Sequence, residues 1–165
     1  MKAGLMLVGM LLTVSAVASE EPPPPTLGQQ VPAFELFDLG GEVHRLSAYR
    51  EPVIVLNFWA FWCETWKAQL PQLRELTTQQ HELGFRLLVV SIDGQWSDNQ
   101  RQTLREQRLP FPVLLDGQRT LGTALGVRRV PTVLVLNRER KVTWLHEAYP
   151  GNPAVLKAIR GALSN

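Results

Sequence analysis

Two apolar runs, Val53 to Ala60 (VIVLNFWA) and Phe85 to Ile92 (FRLLVVSI), flank a stretch that carries the spacing of one amphipathic helix. Near-continuous apolar runs of this length suit strands covered on both faces. Between them Trp66, Leu70, Leu73 and Leu76 recur at helical spacing, which predicts a helix from about Glu64 to Gln80 with one buried stripe. Pro71 falls inside that helix and is expected to kink it. A strand, a helix and a strand in this order pair the strands in parallel with a right-handed crossover. This unit excludes an all-helical or all-β chain.

The remaining segments extend the same plan. FELFDLGGEVHRLS alternates around Gly40-Gly41 and predicts a hairpin ahead of the first long strand. Ser97 and Gln100 have capping-box spacing, for a helix reaching about Arg108. LPFPVLLD reads as a short extended piece, and Gln118 to Leu125 as a short helix closed by Gly126. Thr132 to Leu136 and Val142 to Glu147 predict a closing pair of strands. Asn152-Pro153 caps and begins a last helix to about Leu163. The expectation is an α/β fold with a mixed central sheet, helices on both faces and an N-terminal β-hairpin extension.

A chain of 165 residues with 45% hydrophobic content supports one packed domain. Its net charge of +2 is too small to argue for nucleic acid or an acidic membrane surface. Lys2 precedes an apolar stretch from Ala3 to Val17, and Ala16-Val17-Ala18 fits a signal-peptidase site. Residues 1–18 are therefore expected to be a cleaved signal peptide, too short for the ~20 residues a spanning helix needs. Residues 19–26, containing EEPPPP, read as a stiff solvated linker, and 27–165 as the domain. Export exposes the chain to oxidation, yet it holds one cysteine. That thiol is free, capped by a small molecule, or bonded to another chain.

The cysteine stands in NFWAFWCETWKAQLP, where an apolar run meets a helix. Together with FELFDLGGEVHRLSAYREPVIVLNFWAFWC, LPFPVLLD, LGVRRVPT and the late YPG, it resembles the thioredoxin fold, in the TlpA/ResA-like group of exported thiol-disulfide oxidoreductases (redoxins). The resemblance spans about Leu27 to Leu163. It implies that Cys63 is the nucleophilic thiol at the strand-to-helix corner, where free backbone N–H groups favour a thiolate. It further implies a cis Val130-Pro131 bond facing Cys63, with Val130, Pro131 and Trp62 binding substrate. Two family positions are replaced. The second cysteine is matched by Trp66, and a carboxylate that manages its proton is matched by Gln69. A two-cysteine cycle within this chain is thereby excluded, and Trp66 is expected to join Trp59, Trp62 and the Leu70 stripe in the core.

One thiol leaves three functional readings. The first is monothiol exchange through Cys63 with exported protein thiols or disulfides or with small-molecule thiols, completed by an external resolving thiol. By family analogy it would serve maturation of exported proteins, cytochromes c included, in the periplasm. The second is a redox-inactive binding or chaperone module that keeps the groove without turnover. The third, copper delivery, is disfavoured: His44, His81 and His146 suit surface or packing roles, and one soft ligand makes a poor site. No cofactor and no metal is expected. Ala60, three residues ahead of Cys63, argues against peroxide reduction. Asp93 either orients a water or, as acids there usually do, caps the next loop, and Arg128-Arg129 either flanks the groove or lies on a solvated loop. The chain is expected to be a monomer or a Cys63-linked dimer.

Overall fold

A computed structural model describes residues 23–164. The expected signal peptide and the first linker residues lie outside that range. Seven strands form one sheet: β1 (Glu35–Asp38), β2 (Val43–Arg45), β3 (Val53–Trp59), β4 (Phe85–Ser91), β5 (Val113–Leu115), β6 (Thr132–Leu136) and β7 (Val142–Glu147). Their spatial order is β2-β1-β5-β4-β3-β6-β7. β3 and β4 pair in parallel, as do β4 and β5, while β6, β7 and the hairpin run antiparallel. The sheet is mixed, and the fold is that of thioredoxin.

Every residue of β3 is buried, because the sheet has a core on each face. Val53, Val55 and Trp59 face one core, and Ile54, Leu56 and Phe58 the other, so the apolar run conceals the alternation of a strand. The first core is covered by α1 (Trp66–Thr78), α3 (Asp98–Glu106) and α5 (Asn152–Leu163). The second is covered by α4 (Thr120–Ala124) and the N-terminal segment around Val31 and Leu46. The stripe of Leu70, Leu73 and Leu76 is buried as spaced, each leucine contributing about 1.5–3 kcal/mol.

Several local expectations change. The long helix is shorter at both ends. Residues 63–65 form a tight turn before it, and at Gln79 the chain breaks into α2 (Gln80–Leu83), closed by Gly84 at φ +71°. Pro71 sits inside α1 without ending it. Ser97 and Gln100 do form the reciprocal capping box. Asn152 does not cap α5; Gly151 at φ +92° takes that place, a conformation open to glycine. The Asn152 side chain instead turns inward, donating to Gln72 O at 2.9 Å and to Glu75 at 3.1 Å. The Pro-rich stretch is not a solvated spacer throughout. Pro25 is buried, and the Pro23 carbonyl lies so close to Gly126 that a Cβ there would overlap it.

The hairpin joins the sheet through β1 and β5, with Phe37 opposite Leu115. Its turn is held by Asp38, whose Oδ1 accepts from the N–H of Gly40 and Glu42 at 2.8 and 2.9 Å. Burial pushes the Asp38 carboxyl up, but the Glu42 N–H, His44 and the Gly40 N–H outweigh it and hold the group below 3.8. A depressed carboxylate contributes stability that is present above its ordinary value and lost as pH falls through the folded value. Urea stabilities of wild type and Asp38→Asn are therefore expected to differ at neutral pH and to converge as the pH drops below about 4.

Candidate functional site

The site is built where β3 ends. Beyond Trp59 the chain must leave the sheet, and β4 holds it as it does so. Ser91 pairs with Trp59, and two residues later Asp93 is buried. One oxygen of Asp93 accepts from the Phe61 N–H at 2.8 Å and from the Ser91 hydroxyl at 2.7 Å. Asp93 thus fastens the loop that carries Cys63 to the neighbouring strand. Breaking either bond would leave a buried polar group without a partner, at a cost of roughly 1–3 kcal/mol.

Past this clamp the backbone turns tightly, with Cys63 N–H donating to Ala60 O and Trp66 N–H to Cys63 O, both at 3.1 Å. Cys63 is partly buried and free. Its Sγ lies 3.7 Å from the Val130 carbonyl oxygen and 3.2 Å from Thr65 Oγ1. The Val130-Pro131 bond is cis. Its loop is held by Thr132 Oγ1 donating to Arg129 O at 2.8 Å and by Arg119 Nη2 donating to Val127 O at 3.1 Å. Cys63, Val130 and Pro131 therefore meet at one corner, although Val130 lies on a loop 67 positions downstream.

Trp62 is not in the core. It is 67% exposed, an indole standing in solvent beside the thiol. Trp66 is 5% exposed and does fill the core, stacked on Phe61 at 5.0 Å and edge-on to Trp59 at 5.8 Å. Gln69 is also buried, and its Nε2 donates to Asn57 Oδ1 at 2.9 Å. The position where the resemblance implies a carboxylate thus holds a neutral amide paired with another.

Two residues of this site escape sequence reasoning. Asn57 gives a signal, a polar residue in the middle of the apolar run of β3. Thr65 gives none, since it falls inside the helix expected from about Glu64. Arg129 lies 79% exposed with Glu147 at 3.9 Å, a loose surface pair.

The histidines are occupied elsewhere. His44 sits between Tyr49 OH and Asp38, His146 lies against Trp144, and His81 is in α2. Asp38, Glu42 and His44 bring ligand atoms within 4.8 Å of one another, but the Asp38 carboxylate already caps the hairpin turn.

A half-buried thiol at the end of the central strand, facing a cis-proline loop, is the arrangement of redoxins. Residues 27–145 match the AhpC/TSA family. The chain belongs to that family. Within it the chain is similar to the thiol-disulfide oxidoreductase ResA of Geobacillus thermodenitrificans, with 31% identity over 138 residues, covering 84% of this chain and 79% of that one. The thioredoxin-like protein YneN of Bacillus subtilis is 28% identical over 123 residues, 72% of this chain and 70% of that one. Among solved structures, the pneumococcal exposed lipoprotein thioredoxin Etrx1 superposes with a TM-score of 0.71 at 27% identity, over 79% of this chain and 99% of its own. This AhpC/TSA member is a ResA-like redoxin whose second cysteine position holds Trp66.

Proposed function

We propose that this redoxin carries out thiol-disulfide exchange with a single sulfur. The observation that carries the reading is the partly open Cys63 Sγ, 3.7 Å from the carbonyl that precedes the cis Pro131. An extended substrate strand pairing with the Val130 backbone would bring its disulfide to Sγ. The Cys63 thiolate attacks one sulfur of that disulfide, its S–S bond breaks, and the departing half leaves as a thiolate. A mixed disulfide remains on Cys63. With Trp66 in the second position no internal sulfur can release it, so an external thiolate attacks and restores Cys63. Across both steps one disulfide is consumed and one is formed.

The substrates in this reading are exported protein thiols or disulfides, cytochrome c precursors among them, and the compartment is the periplasm. No described helix is long and apolar enough to cross a membrane. A second reading, a binding module without turnover, draws on Trp66: its stacking makes the missing sulfur part of the core rather than an open gap.

Intact-mass measurement separates the two. Protein incubated with glutathione disulfide should gain one glutathionyl group, and excess free thiol should remove it within minutes. A chain that stays unmodified supports the binding module and overturns exchange.

A further inference from the structure

We propose that Thr65 is a catalytic residue of this exchange, its hydroxyl donating a hydrogen bond to the Cys63 sulfur whenever that sulfur carries negative charge. The inference rests on the exchange reading above and assigns a role to a residue that the family pattern leaves blank. Three observations carry it. Thr65 Oγ1 lies 3.2 Å from Sγ, within reach of a sulfur hydrogen bond. Thr65 also occupies the N-cap position of α1, where a threonine oxygen normally accepts from a backbone N–H of the first turn. It makes no such bond; its backbone is already helical, at φ −66° and ψ −19°, and the side chain is turned to the thiol instead. Among the described residues the other hydrogen-bonding group at Sγ is the Val130 carbonyl, which can accept from a thiol S–H but can donate nothing to a thiolate.

The chemistry gives this contact a direction. In the mixed disulfide between Cys63 and a substrate sulfur, an incoming thiolate can attack either sulfur. Attack at the substrate sulfur breaks the S–S bond and sends the electron pair to Cys63, and the incoming thiol becomes oxidised as it takes the substrate. Attack at Cys63 instead expels the substrate thiolate and leaves the protein capped by the incoming thiol. The better-stabilised thiolate leaves faster. A hydroxyl aimed at Cys63 makes Cys63 the better leaving group, so the external thiol is steered to the substrate sulfur and the protein emerges free. Thr65 thereby favours release of the protein sulfur, whereas a second cysteine would have attacked Cys63 and released the substrate thiolate.

The test compares wild type, Thr65→Val and Thr65→Ser in exchange with glutathione disulfide from pH 6 to pH 10. Losing a donor to a thiolate lowers the ionised share and raises the reactivity of what remains. Thr65→Val should therefore be about three- to tenfold slower at pH 6, with the deficit vanishing or reversing by about pH 10, where ordinary thiols are ionised. Thr65→Ser, which keeps the hydroxyl, should stay within about twofold of wild type at every pH. The other charges near the site, Glu64 with Lys67 and Arg129 with Glu147, are present in all three proteins and cancel. In a second arm, each protein is glutathionylated and treated with limiting cysteamine. Thr65→Val should leave a larger share of protein capped with cysteamine. A pH-independent deficit, or serine behaving like valine, overturns the proposal by reducing Thr65 to packing. Equal rates for valine and an active wild type overturn it alone. An inert wild type overturns it together with the exchange reading.

Discussion

Cys63→Ser is expected to reduce exchange with glutathione disulfide to the rate measured without protein, a loss of at least about a hundredfold. The chain has one cysteine, so no second sulfur can mask the change. Among the described residues the hydrogen-bonding groups at Sγ are a threonine hydroxyl and a backbone carbonyl, neither of them a general base for a serine hydroxyl at this corner. The fold should survive. Cys63 is only partly buried and the replacement is nearly isosteric, so the urea midpoint should correspond to a change within about 0.5 kcal/mol. Stability and activity are thus expected to separate cleanly. Residual exchange in a folded Cys63→Ser protein would mean that the chemistry lies elsewhere.

Trp66→Cys, which rewrites the family's two-cysteine pattern, is expected to destabilise the reduced protein by about 3–5 kcal/mol. The indole is 5% exposed and stands between Phe61 and Trp59, so removing most of it opens a cavity in that aromatic cluster. Closing a disulfide to Cys63 across so short a loop would return only about 2 kcal/mol. Urea unfolding with and without reductant reads both quantities. A Trp66→Cys protein as stable as wild type in reductant would show that the indole is dispensable, and the loss of the second cysteine would then have no structural counterpart. The pair of Gln69 and Asn57 bears on the same substitution. It is neutral and buried, so the restored cysteine would find no carboxylate to take its proton.

These two substitutions mark the division between what was legible in the residues and what was not. Element type was legible because it depends on neighbours in sequence. The stripe from Trp66 to Leu76, the Ser97 and Gln100 capping box, and the strand Thr132–Leu136 all follow from local spacing. Helix ends were less legible, because Glu64 and Thr65 have helix-compatible chemistry, and the Asp93 clamp and the tight turn hold them outside α1. Asn152 illustrates the same limit. Its type suits a cap, yet partners some 80 positions away on α1 draw its side chain inward.

By itself the sequence determined that two buried strands flank an amphipathic helix, that one sulfur stands at their junction, and that no second sulfur can answer it. Those follow from composition and period, which are set before packing brings distant elements together. Tertiary structure alone decided that Trp62 stands in solvent while Trp66 is core, that Asp93 grips the Phe61 backbone, and that the Thr65 hydroxyl forgoes its cap to face the thiol. The reason is one of range: a side chain's partner is set by distances of about 3 Å between elements that packing brings together, and no period along the chain encodes them.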